Sequence, residues 1–208
     1  MEEITIYDIA KKAGVSPSTV SRVVNNYSYV KKATRDKVLR IIEESNYIPN
    51  ETARSLVNQS PKMIGILIAD IRTTHHTEGV YYVEHEFSKK GYSCIICNTG
   101  SEENEIVRYI QILSTRKTDA VVMIGSVYQN DAVASAVKNF LPSTPVAICN
   151  GYLEGENIYG VVSDEKEGVK ECVKLLSEKG RRHPVFIYNI LTPSNSAKIE
   201  GFISGCSE

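Results

Sequence analysis

The stretch Thr5-Ile-Tyr-Asp-Ile-Ala-Lys-Lys-Ala-Gly-Val-Ser-Pro-Ser-Thr-Val-Ser-Arg-Val-Val-Asn25 decides how the amino-terminal part of this chain folds. It reads as two short helices joined by a tight turn. Thr5 is placed to cap the first helix, and Asp8 adds a negative charge to its first turn. Ile6, Ile9, Ala10 and Ala13 recur at helical spacing and give one apolar face. Gly14 stops the helix, because glycine tolerates the left-handed conformation that helix ends often need. Val15 is apolar and fits between the helices. Ser16 is a good N-cap, and Pro17 suits the first helical position. Val20, Val23 and Val24 form the buried side of the second helix. Ser18, Thr19, Ser21, Arg22 and Asn25 are left facing outward. Taken alone, the pattern fits an ordinary helical hairpin with a serine-rich surface. It also fits a pair of helices that sets the second one into the major groove of DNA. Hydroxyl and amide groups at a helix start suit phosphate oxygens, and a single arginine suits the O6/N7 edge of guanine.

The surrounding charge favours the second alternative. Between Lys11 and Arg40 there are eight lysines and arginines against one acid, Asp36, in a chain whose net charge is −1. Positive charge is thus concentrated where phosphates would be met. A third helix is predicted to start with Thr34 as its N-cap, to bury Val38, Leu39, Ile41 and Ile42, and to end near Ser45. Asn46-Tyr47-Ile48-Pro49-Asn50 then breaks it. Glu51 to Val57 reads as a helix too short to be stable alone, with Asn50 as a possible cap. Asn58 to Pro61 reads as a linker.

Beyond residue 61 apolar runs alternate with helical patterns. Strands are predicted at Met63–Ala69, Tyr92–Cys97, Ala120–Gly125, Pro145–Cys149, Tyr159–Ser163 and Pro184–Tyr188. Helices are predicted near Thr77–Lys90, Glu102–Ser114, Asp131–Phe140, Glu165–Lys179 and Ala197–Ser204. The continuous apolar character of the strands fits a buried parallel sheet. The alternation is that of a doubly wound α/β domain, in which ligands bind beyond the carboxyl ends of the strands.

The ordered run from Thr5 through Asn25, followed by Thr34-Arg35, Val38 and Asn46-Tyr-Ile-Pro-Asn50, closely resembles the LacI/GalR (lac-repressor) family of bacterial transcription regulators. The resemblance implies an α + α/β architecture. Three helices would form a helix-turn-helix headpiece (residues 1–49), followed by a short hinge helix and linker (50–61). A doubly wound, periplasmic-binding-protein-like domain would follow, its first subdomain at 62–162 and an incomplete second one at 163–208. It implies that Pro17, Ser18 and Arg22 read bases. Thr5, Tyr7, Ser16, Thr19, Ser21, Asn25, Thr34 and Tyr47 would hold the DNA backbone or pack against it. Asn50, Ala53 and Leu56 fall on the hinge, with Ala53 and Leu56 at the minor groove and Leu56 as a wedge.

For the effector pocket, the positions after the strands matter. His75 and His76 stand where most family members carry an aromatic pair. Adjacent imidazoles can hydrogen-bond a polyol, whereas a metal site would need further ligands that do not follow. Ser126 and Tyr128 follow the third strand. Asn150 matches a family position that often contacts effector. Asp164 either lies at the crossing between subdomains or caps the next helix. Ser194, Asn195 and Lys198 follow the last strand. Lys198 occupies a place where the family usually has arginine, and a lysine offers a point charge rather than a planar fork. The resemblance further implies double-stranded DNA with a near-palindromic operator as partner, a sugar as small-molecule effector, and a homodimer if the regulatory domain is complete. The chain ends at Glu208, sooner than the family pattern, which leads to the expectation that the distal half of the pocket is missing.

The rest of the composition agrees. With 208 residues, 42% of them hydrophobic, there is enough for a small domain and one larger core. The acidic start Met1-Glu-Glu does not look like a signal peptide, and no apolar run is long enough to cross a membrane, so a cytoplasmic protein without membrane contact is expected. The five cysteines are read as buried or incidental thiols. Cys94 and Cys97 are three apart on a strand and so face opposite sides. No nucleophile elbow, P-loop or G-x-G-x-x-G after a strand is present. No catalytic residue, metal or cofactor is therefore expected. A transport-type binding protein is argued against by the basic headpiece.

Overall fold

The computed structural model describes residues 4–47 and 61–207. The chain divides into two compact units, Met1–Pro61 and Lys62–Glu208. The expected hinge helix, with Asn50, Ala53 and Leu56, lies outside the described residues.

The first unit contains α1 (Ile6–Ala13), α2 (Pro17–Val24) and α3 (Lys32–Glu44). Thr5 is extended, and the Asp8 carboxylate accepts hydrogen bonds from its N–H at 2.9 Å and its hydroxyl at 2.6 Å. Those bonds hold the Asp8 carboxyl below its ordinary pKa. Gly14 closes α1 in the left-handed conformation (φ 66°), and its N–H reaches the carbonyls of Ala10 and Lys11. Ile9, Ala10, Ala13, Val20, Val23 and Val38 form the buried core, with Ile4, Ile6, Val15, Val24, Ile41 and Ile42 packed around it. Two expectations for α3 are corrected. It begins at Lys32, so Thr34 lies in its first turn and is not the cap. Lys32 and Ala33 are good helix formers and extend the helix backwards. Leu39 is 43% exposed rather than buried; the core-facing stripe of α3 runs through Val38, Ile41 and Ile42, at i, i+3 and i+4, and leaves Leu39 at its side.

The second unit is a five-stranded parallel sheet in the order β2-β1-β3-β4-β5, with β1 Met63–Ile68, β2 Ser93–Asn98, β3 Ala120–Ile124, β4 Val146–Cys149 and β5 Ile158–Val161. The helices are α4 (Thr74–Lys89), α5 (Glu103–Thr115), α6 (Asp131–Phe140), α7 (Glu165–Glu178) and α8 (Pro193–Ser207). Alternation along the strands feeds two cores. Leu67, Cys97, Val121, Met123, Val146 and Ile148 pack with Ile106, Ile110 and Leu113 of α5 and Val133 and Val137 of α6. Ile64, Ile66, Ile68, Val122 and Ile124 face the opposite side, with Val80, Val83 and Phe87 of α4. Cys97 joins the first core and Cys94 the second, as strand geometry requires. Burial pushes both thiols above their usual pKa, which keeps them protonated and inert. Gly65 leaves room for Leu113; a Cβ there would come within 2.5 Å of its Cδ1.

The strand expected at Pro184–Tyr188 is not formed. Val185 is 81% exposed and Ile187 88%. A strand satisfies its backbone only through a neighbour, and no described segment pairs with this one. α4 begins at Thr74, and so takes His75 and His76 into its first turn. α8 starts at Pro193 and carries Ser194, Asn195 and Lys198. α7 and α8 pack closely: a Cβ on Gly201 would lie 2.0 Å from the Lys166 carbonyl oxygen.

Candidate functional site

In the first unit, the amino end of α2 gathers three hydroxyls. Ser16 caps the helix by accepting from the Thr19 N–H at 3.3 Å, and its Oγ lies 2.9 Å from both Ser18 Oγ and Thr19 Oγ1. Pro17, at the first helical position, sets the backbone without wasting an N–H. Val20 and Val23 bury the opposite side, which leaves Ser18 and Arg22 exposed. Ser21 and Asn25 are half-buried, and the Asn25 amide donates to Ser21 Oγ at 3.4 Å. Tyr7 is 71% exposed on α1. Tyr47 packs against the headpiece core, and burial raises its phenol pKa. The surface of α2 thus combines a hydroxyl-capped helix start, two further hydroxyls and a guanidinium, a set suited to phosphates and base edges.

In the second unit, a cleft of about 970 Å³ opens at the carboxyl ends of the strands. His75, His76, Ser126, Asn150, Ser194, Asn195 and Lys198 all line it. His76 Nδ1 stands 2.9 Å from the Asp70 carbonyl oxygen, which fixes that ring. The two imidazoles are 5.9 Å apart and tilted by 51°, so they do not stack flat. Among the described residues, no group of three or more His, Cys, Asp or Glu is placed to hold a metal ion.

One expected cleft residue, Tyr128, is corrected, and for Asp164 the helix-cap alternative holds. Tyr128 is fully buried among core side chains, with its hydroxyl 2.9 Å from Thr99 Oγ1. It sits in the 3-10 turn Ser126–Tyr128, which carries Ser126 to the cleft and turns Tyr128 inward. Burial pushes its phenol well above the usual range. Asp164 caps α7, its carboxylate accepting from the Glu167 N–H at 3.0 Å, and it does not line the cleft.

The residue at the centre of the cleft's polar network is Glu165, which sequence reading passed over. Its Oε1 accepts from Ser194 Oγ at 2.7 Å and Asn150 Nδ2 at 3.4 Å, and pairs with Lys198 Nζ at 3.0 Å. Burial alone would raise its carboxyl pKa, but the hydrogen bonds from Ser194 and Lys198 outweigh it and leave the value below the ordinary one. The Ser194 N–H also donates to Ser126 Oγ at 3.2 Å. The ends of β3, β4, α7 and α8 therefore share one polar cluster. The signal was present: the rule that sites lie past strand ends applies to β5 as well, and Glu165 follows it closely. At the rim, Arg72 clasps Asp70 through Nε at 2.9 Å and Nη2 at 2.8 Å, which holds the Asp70 carboxyl down to about 2.

Residues 5–50 match a family model described as bacterial regulatory proteins, lacI family. An HTH-type transcriptional regulator of Lachnoclostridium phytofermentans is 34% identical over 201 residues, 96% of this chain and 60% of that protein. The ribose operon repressor of Halalkalibacterium halodurans is 35% identical over 211 residues, 98% of this chain and 59% of that protein. A crystal structure of the lac repressor dimer bound to operator and the anti-inducer ONPF superposes with a TM-score of 0.85 at 24% identity, over 99% of this chain and 62% of that one. The chain thus spans about three fifths of the length of these relatives.

Proposed function

We propose that this chain, whose residues 5–50 match the family model described as bacterial regulatory proteins, lacI family, is a member of that family and a sequence-specific DNA-binding transcription regulator, acting as a repressor under the control of a small molecule. The observation that carries the reading is α2: a helix packed by Val20 and Val23 that presents Ser16, Ser18, Thr19 and Arg22 outward, within a segment rich in lysine and arginine. In this reading Pro17, Ser18 and Arg22 face bases in the major groove, and Thr5, Tyr7, Ser16, Thr19, Ser21, Asn25, Thr34 and Tyr47 support or contact the sugar-phosphate backbone. Asn50, Ala53 and Leu56 would contact DNA from the hinge, with Ala53 and Leu56 at the minor groove. Two copies of the chain would read the halves of a near-palindromic duplex. No catalytic activity is assigned, and the work is placed in the cytoplasm with the DNA.

The cleft in the second unit would take the effector. Its charges are internally matched, Asp70 with Arg72 and Glu165 with Lys198. Hydroxyl, amide and imidazole groups stand between them. Such alternating donors and acceptors suit an uncharged polyhydroxylated ligand better than a strongly charged one. We place His75, His76, Ser126, Asn150, Ser194 and Lys198 against this ligand, with Glu165 organising the last three.

The experiment is selection of duplexes from random DNA by the 208-residue chain, followed by titration of the selected duplex with and without a panel of pentoses, hexoses and disaccharides. The reading expects a near-palindromic sequence to emerge, affinity that falls steeply with salt, and at least one sugar that shifts it. Binding equally well to scrambled duplexes would contradict the regulator reading. Sequence-selective binding that no polyol alters would contradict only the assignment of the cleft.

A further inference from the structure

Tyr29 lies in the loop between α2 and α3 and is 67% exposed. The Arg22 guanidinium carbon stands 5.7 Å from the centre of its ring, within the reach of a cation–π attraction. No carboxylate pairs with Arg22 among the described residues, so the ring is the group that meets this cation. The loop that bears the ring is itself tied down. Arg35 of α3 donates to the Asn26 side chain and to the Tyr27 carbonyl. The Tyr27 N–H donates to the Arg22 carbonyl at 3.0 Å, and the rings of Tyr27 and Tyr29 are 5.5 Å apart, tilted by 41°. Arg35 thus fixes the loop, the loop places two aromatic rings, and the second ring stands beside the guanidinium of α2.

The physical consequence concerns order. A free arginine on a helix surface must give up rotamer freedom before its planar donor edge can face a base. A ring that already holds the guanidinium lowers that cost, because the π face of the ring attracts the cation without supplying a hydrogen-bond acceptor that would compete with a base edge. We propose that Tyr29 is a positioning residue for base reading: it holds Arg22 over its ring so that the donor edge meets guanine, and so sets how sharply that base pair is distinguished. The inference rests on the proposal that α2 reads DNA.

The test uses the 208-residue chain and a duplex that the unaltered chain selects from random DNA. The base pair read by Arg22 is the one whose discrimination is lost in Arg22→Ala. The discrimination ratio at that pair is then measured for Tyr29→Phe and Tyr29→Leu, each with Arg22 and with Arg22→Ala. Tyr29→Leu is expected to lower the ratio about two- to fivefold, the size of an exposed cation–π contact. Tyr29→Phe, which keeps the ring, is expected to preserve it. In the Arg22→Ala background Tyr29→Leu should change nothing further, and the melting temperature should stay put. If Leu disturbs the fold, Tyr29→Gln takes its place with the same expectation. An unchanged ratio in Tyr29→Leu overturns the inference. So does an equal loss of affinity in both backgrounds, which would make Tyr29 a direct DNA contact. Failure of the unaltered chain to select any sequence overturns the DNA reading itself, and the inference with it.

Discussion

The two units bury their apolar residues in different ways. In the first, three short helices close on Ile9, Ala13, Val20, Val23 and Val38, each with almost no exposure. In the second, β1 and β3 are buried on both faces and β4 on one with the other half-buried, while β5 and the segment after α7 leave Val161, Val185, Ile187 and Leu191 more than half exposed. The contrast follows from hydrogen bonding. A helix satisfies its own backbone and needs a partner for one stripe of side chains. A parallel strand needs neighbours for its backbone and cover for both faces. Local sequence signals are therefore enough to define the first unit, but they define the second only where flanking strands exist.

The largest effect should come from the core of the second unit. Leu113 is fully buried and fills the space that Gly65 leaves open. Leu113→Ala is expected to cost about 2–5 kcal/mol. Hydrogen exchange should show lost protection in β1, β3 and α5, with α1–α3 unchanged. Lost protection in the headpiece as well would break the comparison, because it would mean that the two units unfold together.

Arg22→Ala tests function rather than folding. If the Arg22 guanidinium reads a base edge, as proposed, its loss should weaken specific DNA binding by about 1–3 kcal/mol and relax one position per half-site. Thermal unfolding should hardly change, since Arg22 is exposed. Unaltered discrimination between selected and scrambled duplexes in this variant would remove Arg22 from the reading face.

Ser16→Ala weakens the headpiece alone. It removes the cap of α2 and the hydroxyl shared with Ser18 and Thr19, and should cost about 1 kcal/mol in headpiece stability. Denaturant melts followed by exchange in α1–α3 would check it, and an undiminished headpiece would show that the cap is idle.

The smallest effect is the pH dependence that Glu165 gives the second unit. Glu165 has a folded pKa below its ordinary value of 4.5. Its ion pair and hydrogen bonds therefore contribute stability above that value, and the contribution is lost as pH falls through the lower folded value. Comparing urea unfolding of the wild type and Glu165→Gln at pH 6 and at about pH 3.5 should show a shallower acid loss in the variant. Parallel curves would mean that the Glu165 cluster contributes nothing to holding β4, α7 and α8 together.

What was legible in the sequence follows the same physical line. The turn at Gly14, the Ser16 cap and the valine face of α2 were readable because each is a local rule. The five strands of the sheet were readable because short, largely apolar runs bounded by turn residues alternate with longer helical patterns. Three things were not. Thr34 looked like a cap because threonine favours that place, but Lys32 and Ala33 carried the helix past it. Tyr128 looked like a cleft residue because it follows a strand, but the tight turn at Ser126 reversed its direction. Pro184–Tyr188 has a strand's composition, and composition does not supply a neighbouring strand. In the cleft, Ser126, Asn150, Ser194 and Lys198 were found from their places after strands or by resemblance. Glu165 was missed because an acid at the start of a helix has an ordinary explanation in the helix dipole.

The central claim is that the headpiece reads DNA while the cleft receives a separate small molecule. Hydrogen exchange of the 208-residue chain, with its selected duplex and then with an effective sugar, tests it most directly. The account predicts that DNA protects α2 and the start of α3, and that the sugar protects 69–76, 125–127, 149–151 and 189–198. Protection of the cleft by DNA with none in α2 would contradict it.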